Sequence, residues 1–314
     1  MIVSCGEALI DFFRHEKGQH FEAIIGGSPL NVAVALANAG SQCALMTNLS
    51  NDQFGDMHLA HLTESKVSDK YITRSSHPSG LMLVSYNANK SANYIYYGHN
   101  TAELNFFINQ QGQQPPDLTD VNCLHFGSFS LVCGNTAQSF DRLITDYKAQ
   151  CIISADINLR TAIEADLSLW RAKFNQLMCS AHILKASAED LCLLYDLEDF
   201  SAQIAIHLMM QWLQCGVTLA VITDAENGAY ALIEENFIHV PAVAVDIIDT
   251  VGAGDCFMAH LLHQLDTENF LSIGHLAEVN KTQITQIMQL AIKAASFTIG
   301  HKGAIFPTLI EITD

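Results

Sequence analysis

Apolar runs of strand length alternate with stretches of helical period along most of the chain. The runs fall at residues 2–8, 43–49, 121–126, 151–155, 182–186 and 219–223. Between and after them, apolar positions recur every three to four residues and predict helices over 29–39, 55–65, 136–148, 167–178, 203–215, 255–265 and 282–299. Strands that read as unbroken apolar runs are covered on both faces, as in a parallel sheet flanked by helices. The alternation therefore predicts an α/β fold with a doubly wound, mainly parallel sheet and helices on both faces.

Two stretches break the pattern. Residues 12–25 and 80–97 lack helical period, and the second, LMLVSYNANKSANYIYYG, alternates around an Asn-rich turn as a hairpin does. Together they predict a small β lid, about 12–25 and 80–103, attached to one domain spanning 1–314 and lying over the strand ends where open α/β sheets bind ligands. The polar stretch 109–120 reads as a loop rejoining the main body.

Composition narrows the function. With 49% hydrophobic and 15% charged residues the chain is expected to be compact and folded. The net charge of −18, with no cluster of Lys or Arg, opposes nucleic acid and anionic lipid as partners. A polyanionic ligand then has to be received by backbone N–H groups, a metal ion and a few placed cations. The nine cysteines are odd in number and lack a C-x-x-C pair, so they read as reduced, buried thiols of a cytoplasmic protein. The first residues carry Glu7 and Asp11 without a basic segment, unlike a signal peptide, and no apolar run reaches membrane-spanning length.

Two motifs carry chemistry. Asp249-Thr250-Val251-Gly252-Ala253-Gly254-Asp255 leads into a helical pattern. A small-residue turn opening a helix aims free N–H groups and the positive dipole end at one point, which suits an anion or a developing negative charge. Asp255 in the first helical turn stands beside that point, placed to take a proton from a substrate hydroxyl. The bland alternative is a turn that lets a strand enter a helix, with Asp255 as a favourable first-turn acid. The second motif is Gly26-Gly27-Ser28-Pro29-Leu30-Asn31. Ser28 reads as an N-cap and Pro29 as the first helical residue. Gly26 and Gly27 allow a polyol close to the backbone, and Asn31 offers a donor and an acceptor to hydroxyls. Asp11 is read at the end of the first strand, where a carboxylate can bind two hydroxyls.

The pair of motifs resembles the two signatures of the PfkB (ribokinase-like) carbohydrate kinases. Agreement continues in GEALIDF (6–12), LHFGSFSL (124–131), DINLR (156–160), ILKASAEDL (183–191) and GAIFP (303–307), and GEALIDF, GSPLNVA and the NLR followed by LW look most like the fructokinase branch. The resemblance implies a ribokinase-like fold and transfer of the γ-phosphoryl of ATP to a sugar hydroxyl, with fructose 6-phosphate as the expected product. It implies Asp255 as base and Gly252, Ala253 and Gly254 as the anion hole. Asp11, Gly26, Gly27, Asn31 and Arg160 are implied at the sugar, and Lys185, Thr223 and Gly228, with Gly252 and Gly254, at the nucleotide. Mg²⁺ accompanies ATP, organised through water by Glu189 or Asp190, and carbonyls around Asp249 and Val251 bind K⁺ in some members.

Departures from the pattern are Ser187 and Asp190, where much of the family has Asn and Glu, and Asp224, an extra acid near the expected nucleotide entrance. Ser187 and Asp190 also form a capping pair for the following helix. Arg160 and Lys185 admit plainer readings as a surface ion pair and a strand-end lysine. There is no P-loop, no G-x-G-x-x-G fingerprint and no paired zinc-ligand spacing among the 14 His. Kinases of 2-keto-3-deoxygluconate, ribose or nucleosides share the same catalytic end, and a catalytically silent sugar- or nucleotide-binding regulator is the reading of another class. Exposed lid strands offer a homodimer contact.

Overall fold

The computed structural model describes residues 1–14, 20–86, 92–107 and 116–313. The tip of the expected Asn-rich hairpin and much of the 109–120 loop lie outside them. The main sheet has nine strands: β1 (Ile2–Cys5), β4 (Cys43–Ser50), β5 (Ser68–Ser75), β8 (Cys123–Gly127), β9 (Ile152–Asp156), β10 (Ile183–Ser187), β11 (Leu219–Thr223), β12 (Ala229–Ile233) and β13 (Asn236–Val240). Their order is β13-β12-β11-β10-β9-β8-β1-β4-β5, and only the β11-β12 and β12-β13 pairings are antiparallel. A second sheet of β2 (Leu9–Arg14), β3 (Phe21–Gly26), β6 (Leu81–Tyr86) and β7 (Ala92–Tyr97) runs in the order β3-β2-β6-β7.

The helices are α1 (Ser28–Ala39), α2 (Gln53–Glu64), α3 (Gly134–Tyr147), α4 (Leu167–Met178), α5 (Ala188–Tyr195), α6 (Ala202–Cys215), α7 (Ala253–Thr267), α8 (Lys281–Ile299) and α9 (Leu309–Thr313). Side chains alternate across each strand, so the main sheet feeds two cores. Ile2, Leu45 and Val221 join residues of α1, α7 and α8 on one face. Val3, Met46 and Ala220 join Phe140 of α3, Trp170 and Phe174 of α4, and Trp212 of α6 on the other.

All seven expected helices and six expected strands are present, with ends moved by a few residues. Three strands escaped the apolar pattern. β5 is a polar edge strand bearing Lys70 and Arg74, as exposed edges usually are. The β12-β13 hairpin closes through Glu234 and Glu235, with Glu234 at φ 51°, in place of the Asn-Gly signal that marks such turns. The first run also ends earlier than expected. β1 stops at Cys5, and Asp11 therefore belongs to β2 of the small sheet rather than to the end of the first main strand.

The parallel strands all point their carboxyl ends to one edge. Gly6 and Glu7 follow β1, Ser128 follows β8, Asn158 and Arg160 follow β9, and β10 and β11 end on Ser187 and Thr223. Helix α7 packs between α1 and α8, with Leu261 fully enclosed. Leu261→Ala is expected to cost about 3 kcal/mol through lost burial and the cavity left behind. A lowered urea midpoint with an unchanged slope would register it.

Candidate active site

Helix α7 opens at Gly252, whose φ of 78° is left-handed and suits glycine. Three residues on, Asp255 is 5% exposed, and its carboxylate is gripped from two distant parts of the chain. Ser28 Oγ donates to Oδ1 at 2.7 Å and Asn31 Nδ2 donates to Oδ2 at 2.8 Å, both from the first turn of α1. Asn158 Nδ2 donates to Ser28 Oγ at 2.8 Å and lies 3.4 Å from Oδ1 of Asp255. Burial raises the Asp255 pKa, while the bonds from Ser28 and Asn31 and the charges of Arg160 and Lys185 oppose the rise. The result is a fixed carboxylate more basic than one in water.

Ser28 thereby corrects the capping expectation. The N-cap of α1 is Gly27, at φ 118°, and no side chain caps the helix, because the Ser28 hydroxyl is directed to Asp255. Gly27 is dictated by crowding as well as by φ, since a Cβ there would stand 2.5 Å from the carbonyl oxygen of Glu7. At Gly26 a Cβ would stand 2.3 Å from Asp11 Oδ2, so the adjacent glycines leave room for a carboxylate. Burial pushes Asp11 up to about 6, moderated by Arg160. The guanidinium of Arg160 bonds Asn158 Oδ1 at 2.6 Å and the Leu159 carbonyl at 3.0 Å, and its field reaches Glu7, Asp11 and Asp255 together. It is the one cation felt by all three acids among the described residues.

On the other side of Asp255 a cavity of about 580 Å³ is lined by Ala253 and Gly254, by Thr223 and Gly228, by Glu189, and by apolar residues of the 242–247 segment and α8. Sites for small ligands and cofactors commonly fall between about 300 and 1,000 Å³. Lys185 is not on its wall. It is buried, 2.5 Å from Asp156 Oδ2, and reaches to 3.6 Å from where a Cβ of Gly254 would lie. It therefore supplies positive charge from beneath the turn, and burial still holds Asp156 up at about 6 against that pull.

The two carboxylates read as metal candidates separate clearly. Asp190 closes a capping box with Ser187 and accepts the Leu159 amide at 3.1 Å, so its oxygens are committed to the fold. Glu189 is exposed and lines the cavity. Asp249 accepts the amides of Val251 at 3.1 Å and Gly303 at 2.9 Å, fixing the turn against the segment after α8. Asp224 turns to Asn227 and Tyr230 within its own hairpin and is absent from the cavity wall, where Glu226 stands instead. Among the described residues no group of three or more His, Cys, Asp or Glu gathers as a metal cage.

Residues missed in the sequence reading are Ser28 as a partner of Asp255, Asn158, and a pair of buried acids. Glu7 is 1% exposed, accepts a bond from Ser130 and is pushed by burial up to about 7. Glu103 accepts from Tyr96 Oη at 2.5 Å, Thr101 Oγ1 at 2.6 Å and the Gly80 amide at 3.2 Å, which ties the small sheet to the main body. Asn158 had a signal in the DINLR stretch, but attention fell on its arginine.

A helix-opening glycine turn aimed past a clamped carboxylate, at the carboxyl edge of a doubly wound sheet, belongs to phosphoryl-transferring enzymes of ribokinase-like α/β architecture. The chain belongs to the pfkB family carbohydrate kinases, whose sequence model matches residues 1–311. A fructokinase of Rhizobium leguminosarum bv. trifolii is 32% identical over 287 residues, covering 90% of this chain and 84% of that protein. Fructokinase-1 of Oryza sativa subsp. japonica is 26% identical, covering 99% and 96%. In structure, a fructokinase from Xylella fastidiosa with bound ATP superposes with a TM-score of 0.87 at 24% identity, over 99% of this chain and 96% of that one. A fructokinase from Vibrio cholerae O395 with fructose, ADP and calcium ion bound gives 0.81 at 23%, over 99% and 97%. The chain is a carbohydrate kinase.

Glu7 gives a test by pH. Its folded pKa of about 7 exceeds its ordinary value of 4.5, so its stabilising contribution is full below about 4.5 and is lost as pH rises through about 7. Glu7→Gln should therefore flatten the stability curve across that window, read as a smaller loss of melting temperature between pH 5 and pH 8 than in the wild type.

Proposed function

We propose that the protein is an ATP-dependent fructokinase, transferring the γ-phosphoryl group of ATP to a hydroxyl of fructose to give fructose 6-phosphate. The observation that carries the reading is the clamped Asp255, with the nucleotide-sized cavity on one side and Asp11, Gly26, Gly27 and Arg160 on the other. The fructokinase names of the relatives and the GEALIDF, GSPLNVA and DINLR stretches favour fructose within the family.

In this mechanism Asp11 accepts hydrogen bonds from sugar hydroxyls, Arg160 donates to the sugar or to a phosphate, and the two glycines let the ring approach the backbone. Asn31 keeps its amide on Asp255 and meets the sugar beside it. Asp255 takes the proton of the acceptor hydroxyl as its oxygen attacks the γ-phosphorus and the bond to the β–γ bridging oxygen breaks, releasing ADP. The first-turn amides at Gly252 to Gly254 and the Lys185 charge beneath them stabilise the transferring group. Thr223 and Gly228 border the nucleotide, whose base lies against the apolar wall. Glu189, rather than Asp190, would hold a Mg²⁺ ion through water, and the ion would supply neutralisation of phosphate charge. With the Asp249 carboxylate committed to amides, any K⁺ would be met by carbonyls of the 249–251 turn.

The small sheet acts as the lid, excluding water over the sugar and limiting ATP hydrolysis in its absence. Exposed Phe21 and Tyr97 on its edge strands support a homodimer contact there. None of the helices among the described residues is long and apolar enough to cross a membrane, and a cytoplasmic location follows from the reduced-thiol composition.

ADP release measured against fructose, ribose, 2-keto-3-deoxygluconate, glucose and adenosine tests the reading. Fructose should stand well above the rest, and Asp255→Asn should lose at least 10²–10⁴-fold of turnover, on the scale of general-base catalysis, while keeping its fold. Turnover near wild type in that variant would remove Asp255 from the role. Preference for another sugar would move the substrate within the family, and binding without turnover would favour the regulator.

The acid limb of the pH profile is a second test. Burial pushes Asp11 up to about 6, its ionised form accepts hydroxyl bonds on both oxygens more strongly than the protonated acid, and the Asp255 pKa is raised as well. kcat/KM for the sugar is expected to fall as pH drops through about 6, well above the ordinary carboxylate range. A profile flat down to pH 5 would contradict it.

A further inference from the structure

Two thiols stand side by side on the surface at the edge of the main sheet opposite the active site. Cys179 immediately follows α4, and Cys215 is the last residue of α6. The strands after them, β10 and β11, are parallel neighbours with Ile183 opposite Leu219, and each cysteine lies four residues before its member of that pair. Equivalent crossovers thus bring the two helix ends together, and desolvation and the neighbouring Cys179 side chain raise the Cys215 pKa. Both residues are exposed, whereas the other seven cysteines are buried or half-buried. This departs from the expectation that all nine thiols are enclosed.

We propose that Cys179 and Cys215 form a reversible disulfide by exchange with a low-molecular-weight disulfide such as oxidised glutathione. The thiolate of one cysteine attacks a sulfur of the small disulfide, giving a mixed disulfide and releasing one small thiolate. The second cysteine loses its proton to solvent, and its sulfur attacks the protein sulfur of the mixed disulfide, releasing the other small thiolate. The protein dithiol is oxidised by two electrons, and the small disulfide is reduced to two thiols that carry the two protons. A disulfide holds its sulfurs at about 2.05 Å. Both side chains are exposed and free of packing that would stop them rotating toward each other.

The bond closes a loop holding β10, α5 and α6, so it restricts the unfolded chain. For this loop length the melting temperature should rise by roughly 5 °C. The intact protein is equilibrated in mixtures of reduced and oxidised glutathione, quenched in acid, alkylated and mapped by peptide mass spectrometry, with melting followed in parallel. The expected result is one intramolecular Cys179–Cys215 linkage that appears with the oxidised fraction, reverses with dithiothreitol and raises the melting temperature. Cys179→Ser and Cys215→Ser, both surface changes, should each abolish linkage and shift. Recovery of both cysteines as alkylated thiols, as separate glutathione adducts or in links between chains would overturn the proposal.

Discussion

A carboxylate that must stay ionised while shut away from water is the constraint around which this molecule is arranged. Desolvation favours the neutral form of Asp255, and an unpaired buried charge is among the costliest features a fold can carry. The remedy is a set of short donors, Ser28, Asn31 and Asn158, backed by the fields of Arg160 and Lys185. None of these donors is near residue 255 in the chain, so the parallel sheet and the α1–α7 contact exist, in effect, to bring them to one edge.

The same constraint recurs at lower intensity around the site. Asp156 and Lys185 are buried together, and removing either would strand the other's charge. Glu7 and Glu103 are enclosed beside serine, threonine and tyrosine hydroxyls, with burial raising the pKa of each. These acids lie where the small sheet meets the main body, so hydroxyl-to-carboxylate bonds join the apolar contacts of Leu9, Met82 and Val84 in fixing the cleft.

Much of the architecture was legible in the sequence because parallel strands with helices on both faces leave long apolar runs that admit no other reading. The clamped carboxylate and its glycine turn were legible because a small-residue turn opening a helix, with an acid in the first helical turn, points free N–H groups and a carboxylate at one place. Other parts were hidden for physical reasons. Polar edge strands such as β5 carry no apolar stripe, and a hairpin turned by two glutamates lacks its usual marker. The position of Asp11 depended on where β1 stops, and strand ends are poorly encoded. Ser28 looked like an N-cap because capping serines and serines serving a distant carboxylate occupy the same kind of position. Only the fold, which sets residues 28 and 255 in contact, distinguishes them. Asp190 was the reverse case, a suspected ligand whose local capping role turned out to occupy its oxygens.

The packing of α7 between α1 and α8 has a consequence for biosynthesis. As the chain emerges from the ribosome, the strands from β1 to β11 can pair early and cover one side of α1, yet the side that meets α7 stays open until residues 253–267 are made. Contacts of such long sequence separation form slowly and leave sticky surface exposed meanwhile. Because Asp255 sits on α7, a chain in which that helix has not docked lacks the clamp of Ser28 and Asn31 on its carboxylate.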